Sequence, residues 1–169
     1  MHVAPQELEL ATEALRIAGL WSGARFLDVA AGTGGLSLPA ARMGAEVLAT
    51  DWSLAMIERF EARVREEGLR EARAQVMDCH HLEFSNDSFD FVGSQFGVML
   101  VPDQLQALRE MVRVTRPGGR VLMVAYGFPE DLEFLQFFIS APTVVDPEFP
   151  GIPDDPPPLE FQAADPRLR

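Results

Sequence analysis

Apolar residues at Leu8, Ala11, Leu15 and Ala18, widened by Ala14 and Ile17, recur at helical spacing and predict a helix from Gln6 to Leu20, with Gly19 as its stop. Phe26 to Ala30 reads as a first strand, Leu36 to Met43 as a helix and Glu46 to Thr50 as a second strand ending at Asp51. Pro39 falls about one turn into the Leu36–Met43 helix, where it removes at most one early hydrogen bond. Ser53 is placed to cap a helix running to Glu67, with Met56, Ile57, Phe60 and Val64 as its apolar stripe and Gly68 as its stop. Ala74 to Met77, ending at Asp78, and Phe89 to Gln95 follow as strands. Asp103 is set to cap a helix with Leu105, Leu108, Met111 and Val112 inward. Arg116 to Gly119 is a turn by composition, and Arg120 to Tyr126 is a fifth strand, apolar enough to be covered on both faces.

Strand and helix thus alternate with short connections, which predicts an α/β, Rossmann-like doubly wound sheet of five parallel strands with helices on both faces. Ligands in such sheets bind beyond the carboxyl ends of the strands. Those ends carry Asp28, Asp51, Asp78 and the Ser94–Gln95 pair. Beyond the fifth strand, Asp131 to Ser140 reads as a short aromatic helix, and from Pro142 onward prolines are too dense for regular structure. Three regions are expected: a leading helix over 1–22, a ligand-binding domain over 23–127, and an aromatic helix with a Pro-rich tail over 128–169.

Composition narrows the chemistry. The 169 residues suffice for one core, and no apolar run reaches membrane-spanning length. With no basic, apolar leader, a cytoplasmic location is expected. A net charge of −12 argues against a nucleic-acid partner and for a small molecule. All fourteen basic residues are arginines, which excludes a Schiff-base or P-loop lysine. The single cysteine, Cys79, forms no internal disulfide and no Cys-rich zinc site. His80 and His81 are adjacent in a loop with no second ligand cluster, so no metal site is expected.

A glycine turn after the first strand and an acid after the second serve two cofactor classes, nicotinamide dinucleotides and S-adenosylmethionine. In both, the acid accepts the ribose hydroxyls. The dinucleotide fingerprint GxGxxG/A is poorly met, because Gly32-Thr33-Gly34-Gly35-Leu36-Ser37 puts serine at its third small position. Asp28 beside the loop would repel a pyrophosphate and attract the cationic tail of a sulfonium cofactor. Each acid also has a plainer reading: Asp28 as a turn cap, Asp78 as the start of a loop, and Trp52 as core.

LDVAAGTGG (Leu27–Gly35), Asp51-Trp52, Met77-Asp78-Cys79, NDSFDFV (Asn86–Val92) and LREMVRVTRPGGRVLMV (Leu108–Val124) together resemble the class I S-adenosylmethionine-dependent methyltransferases over roughly residues 20 to 127. The resemblance implies that Asp51 holds the ribose and Trp52 packs on the adenine. It further implies that the Asp78 carboxylate and the Cys79 N–H read the adenine, and that Ser94, Gln95 and Phe96 lie near the transferable methyl. Gly32 and Gly34 would approach the cofactor, and Ala30, where many members have glycine, would turn away from it. Ser94-Gln95-Phe96-Gly97 does not match the Asn/Asp-Pro-Pro-aromatic motif of amino-methylating members.

The expected activity is methyl transfer to a small-molecule acceptor, leaving S-adenosylhomocysteine, with no catalytic base evident. The alternatives are a non-catalytic module binding the same nucleosides, or a nicotinamide-dependent oxidoreductase. Phe128, Phe134, Phe137 and Phe138 would line an acceptor pocket or pack as core. The family's last two strands are not expected before Arg169, which suggests a truncated chain, second a homodimer covering the fifth strand, or else a short variant of the fold.

Overall fold

The computed structural model describes residues 5–126. A first compact unit, Met1–Val98 with Asp103–Val124, carries the five described strands; Met99–Pro102 group with Ala125–Arg169 in a second. The expected aromatic helix, the Pro-rich tail, the four candidate phenylalanines and the question of further strands lie outside the described residues.

The elements run α1 (Pro5–Ile17), β1 (Arg25–Val29), α2 (Ser37–Arg42), β2 (Glu46–Asp51), α3 (Leu54–Glu67), β3 (Ala72–Val76), β4 (Phe89–Gln95), α4 (Gln104–Val114) and β5 (Thr115–Val124). The strands form one sheet in the order β3-β2-β1-β4-β5. Every pairing is parallel. Right-handed crossovers therefore place α2 and α3 over one face and α4 over the other. No helix among the described residues is long and apolar enough to cross a membrane.

The core is built where the two central strands meet. Phe26 of β1 and Phe91 of β4 are fully buried, with ring centroids 5.5 Å apart, and Leu36, Leu38, Val47 and Phe60 close around them. Each such side chain contributes about 1.5–3 kcal/mol by leaving water. Gly93 makes this packing possible: a Cβ there would lie 2.7 Å from Leu36 and 2.9 Å from the Phe26 ring. From α1, Ala11 and Leu15 enter the same cluster.

Three expectations change. The predicted inward stripe of α4 holds at Met111 and fails at Leu105 and Val112, which are 55% and 57% exposed. The buried face is Ala107, Glu110, Met111 and Val114. These positions keep helical spacing, but a glutamate at their centre hides the pattern. The Arg116–Gly119 turn is an irregularity inside β5, which begins at Thr115: Phe89 pairs with Thr115 and Phe91 with Arg120, so the extra residues bulge out. Finally, β5 is not covered on both faces. It is the edge of the described sheet, with Val121 and Met123 more than a third exposed.

Candidate functional site

Parallel strands open all their carboxyl ends on one edge, and the strand order reverses between β1 and β4, which is where sheets of this kind open a ligand crevice. The backbone beside that crevice is strained. Ala30 follows β1 at φ +54° and Phe96 follows β4 at φ +55°, both left-handed conformations that cost a side chain about 1–2 kcal/mol. The two loops touch through their main chains, since a Cβ on Gly97 would lie 2.4 Å from the Ala30 carbonyl oxygen. A glycine at position 30 would hold this φ without that strain. Ala30→Gly is expected to raise stability by about 0.5–1 kcal/mol, the strain relieved exceeding the entropy added to the unfolded chain. Urea unfolding measures this, and a loss of stability would show that the Ala30 methyl is needed as packing.

The two loop glycines differ in role. At Gly32, φ +56°, no described residue comes within 4 Å of where a Cβ would stand, so the described residues leave space beside this part of the loop. Gly34, at φ +91°, faces Phe60, whose ring would lie 2.4 Å from an added Cβ. It is glycine so that α3 can pack on the loop. From the same helix Arg63 donates to the Thr33 carbonyl at 2.9 Å, a tether to the loop with no sequence signal. Partial burial lowers the pKa of that guanidinium.

Asp28 is 1% exposed. Its Oδ2 accepts from the Ser37 hydroxyl at 2.5 Å, and its Oδ1 is buried with no hydrogen-bond partner among the described residues. Burial pushes its carboxyl up to about 7, against the pull of the Ser37 bonds and with a small push from Asp51. Ser37, the residue that spoils the dinucleotide fingerprint, is therefore the partner of the buried acid. An orphaned carboxylate oxygen under a glycine loop suits a cationic group.

At the β2 tip, Asp51 is 8% exposed and uses both oxygens. Oδ2 accepts from the Gly32 N–H at 2.8 Å, and Oδ1 from the Ser53 N–H at 2.9 Å. One carboxylate thereby joins the glycine loop to the start of α3. Ser53 occupies the N-cap position without a side-chain capping bond. Trp52 is 84% exposed, which corrects the core reading. Ser94 is buried, and its hydroxyl accepts from the Val98 N–H at 3.1 Å.

At the β3 tip, Asp78 Oδ1 takes both the His80 N–H and His80 Nδ1, at 2.9 and 2.8 Å. These bonds hold its carboxyl below the usual range. Cys79 is 9% exposed, and burial followed by the Asp78 charge pushes its thiol up to about 11. Asp78, Cys79 and His80 bring three metal-capable donor atoms within 4.8 Å of one another. A thiol held protonated is a poor ligand, and a poor nucleophile.

The family described as Methyltransferase domain matches residues 27–123. An uncharacterized protein of Mycobacterium tuberculosis is 45% identical over 113 residues, which cover 64% of this chain and 39% of that protein. The demethylmenaquinone methyltransferase of Bacillus velezensis is 35% identical over 127 residues, covering 73% of this chain and 54% of that enzyme. The chain therefore spans about two fifths to half the length of these relatives. The crystal structure of a SAM-dependent methyltransferase from Aquifex aeolicus superposes with a TM-score of 0.61 at 25% identity, over 68% of this chain and 63% of that one.

Proposed function

This chain belongs to the methyltransferase domain family, and we propose that it binds S-adenosylmethionine at the crevice between β1 and β4 and transfers the methyl group to a small-molecule acceptor. The observation that carries the proposal is Asp28 Oδ1, a buried carboxylate oxygen that has no hydrogen-bond partner among the described residues, beneath a glycine loop beside which the described residues leave space at Gly32. A cofactor with a cationic amino-acid end supplies the missing partner, and a dinucleotide pyrophosphate does not. Asp51 retains a second lone pair on each oxygen for the ribose hydroxyls. Trp52 offers an exposed aromatic face for the adenine, and Asp78 with the Cys79 N–H presents an acceptor and a donor to its edge.

When bound, the cofactor supplies a methyl group already activated by the sulfonium. The protein's share is to hold the nucleoside, exclude water and present an acceptor atom in line with the S–CH₃ bond. Ser94, near the carboxyl end of β4, would shape that approach by fixing the loop that follows it through the bond from the Val98 N–H. A small-molecule acceptor is supported by the net charge of −12, which disfavours nucleic acid, and by the demethylmenaquinone named for a relative at 35% identity.

The test uses the two tryptophans of the chain. In a Trp21→Phe background, S-adenosylhomocysteine is expected to quench Trp52 emission as it binds, and NAD to leave it unchanged. Trp52→Ala is expected to weaken calorimetric binding about tenfold, the effect of losing one stacked aromatic face of about 1–1.5 kcal/mol. Binding of NAD without S-adenosylhomocysteine would overturn the cofactor assignment. Tight S-adenosylhomocysteine binding with unmoved emission and unchanged affinity of the alanine variant would remove Trp52 from the site.

A further inference from the structure

The signature that contains Glu110 and Arg113 lies on α4, remote in sequence from every proposed ligand contact. Glu110 is 9% exposed, and such a glutamate persists only when fully bonded. Its Oε1 accepts from Arg113 Nε and its Oε2 from Arg113 Nη2, both at 2.7 Å, so the pair is bidentate. The same Oε2 accepts from the Leu82 N–H at 2.9 Å. Arg113 spends its other donors on the loop that follows the β3 tip. Nη2 reaches the Leu82 carbonyl and Nη1 the Phe84 carbonyl, each at 2.7 Å, and Nη1 also reaches Asn86 Oδ1 at 3.0 Å. Two turns before Arg113, Gln106 Nε2 donates to the His80 carbonyl at 3.2 Å. The Asp87 N–H returns to the Arg113 carbonyl at 3.1 Å.

The segment from His80 to Asp87 has no helix or strand of its own, so its main chain takes its shape from these bonds. It begins one residue after Cys79. We infer that Glu110, Arg113 and Gln106 are positioning residues for nucleobase selectivity: the α4 clamp holds the His80–Asp87 loop so that the Asp78 carboxylate and the Cys79 N–H meet the edge of a 6-aminopurine. The inference rests on the cofactor reading above. Its physical content is that an acceptor and a donor distinguish adenine from a 6-oxopurine only while their spacing is fixed. Loosening the loop therefore degrades discrimination before it degrades the ribose and amino-acid contacts made from β1 and β2.

The experiment compares binding of S-adenosylhomocysteine and S-inosylhomocysteine to the wild-type chain, Arg113→Lys and Gln106→Leu. Lysine keeps the charge and loses the planar fork. Gln106→Leu removes the bond to the His80 carbonyl and leaves the Glu110–Arg113 pair intact, so it keeps the question open if Arg113→Lys does not fold. The wild type is expected to favour the adenine form at least tenfold, Arg113→Lys to lose most of that ratio, and Gln106→Leu to reduce it about threefold. A purely structural role would lower both affinities together and leave the ratio unchanged in the folded variants, which would overturn the inference. A wild type that binds the two nucleosides equally would overturn it as well. A wild type that binds neither would sink the cofactor reading, and this inference with it.

Discussion

Asp28→Asn is expected to make the protein more stable at pH 8 and a poorer binder of S-adenosylmethionine. The carboxyl is pushed from 3.8 up to about 7 because burial strips its water, and the bonds from Ser37 only partly compensate. A raised carboxylate pKa has a definite sign. Below pH 3.8 both folded and unfolded chains hold the proton. Between 3.8 and about 7 the unfolded chain releases it while the folded chain keeps it, so stability falls steadily across that window and stays low above it. About three pH units at ~1.4 kcal/mol each amount to roughly 4 kcal/mol lost by pH 8. Asparagine still accepts from Ser37 but cannot ionise, so this dependence disappears. Its amide hydrogens, standing where Oδ1 is now, take back about 1–3 kcal/mol.

The variant should therefore be less stable than wild type at pH 4 and more stable, by about 1–3 kcal/mol, at pH 8. Urea unfolding at the two pH values measures this directly. Parallel pH profiles for the two proteins would show that Asp28 does not titrate in the folded state. Binding should move the other way. Loss of a charge-assisted partner costs about 1.5–3 kcal/mol, roughly 10- to 150-fold in affinity. Wild-type protein should also release a proton on binding at pH 6.5, seen as buffer-dependent calorimetric heat, and Asp28→Asn should not.

Periodicity reveals an element when the middle of its buried face is apolar, as in α3 with Ile57 and Phe60, and in β1, β2 and β4, whose buried polar residues Asp28, Thr50, Asp51 and Ser94 fall toward the carboxyl ends. It fails where a polar residue is buried at the centre of the face. In α4, Glu110 interrupts the stripe, so Leu105 and Val112 looked inward although both are exposed. Composition likewise marked Arg116–Gly119 as a turn, whereas a parallel partner strand absorbs those residues as a bulge. In the site, the acids at strand tips were legible because a carboxylate ending an apolar run has few other uses. Their partners were not. Ser37 bonds to Asp28 across the glycine loop, the Gly32 N–H to Asp51 and Arg63 to the Thr33 carbonyl, and each pairing depends on how separate elements meet, which spacing along one strand does not encode.

Asp51→Ala is expected to cost both stability and affinity, and the two losses separate. Truncation leaves the Gly32 and Ser53 N–H groups without their acceptor, in part-buried surroundings, at about 2–3 kcal/mol together. Asp51→Asn does not restore both. Its one carbonyl oxygen serves either amide, while its NH₂ group faces the other donor, so an intermediate loss is expected. For binding, the second lone pairs of the carboxylate are the ones a ribose diol would engage. Their removal should weaken S-adenosylhomocysteine by about 1.5–3 kcal/mol, measured well below the melting temperature so that the folded fraction does not enter. The decisive comparison uses the 2′-deoxyribose form of S-adenosylhomocysteine. If Asp51 accepts from the 2′-hydroxyl, deletion of that hydroxyl weakens wild-type binding and has little further effect on Asp51→Ala, because the interaction is already gone. An equal deoxy penalty in the two proteins would confine Asp51 to tethering the glycine loop to α3, and the ribose would have to be held elsewhere along the crevice.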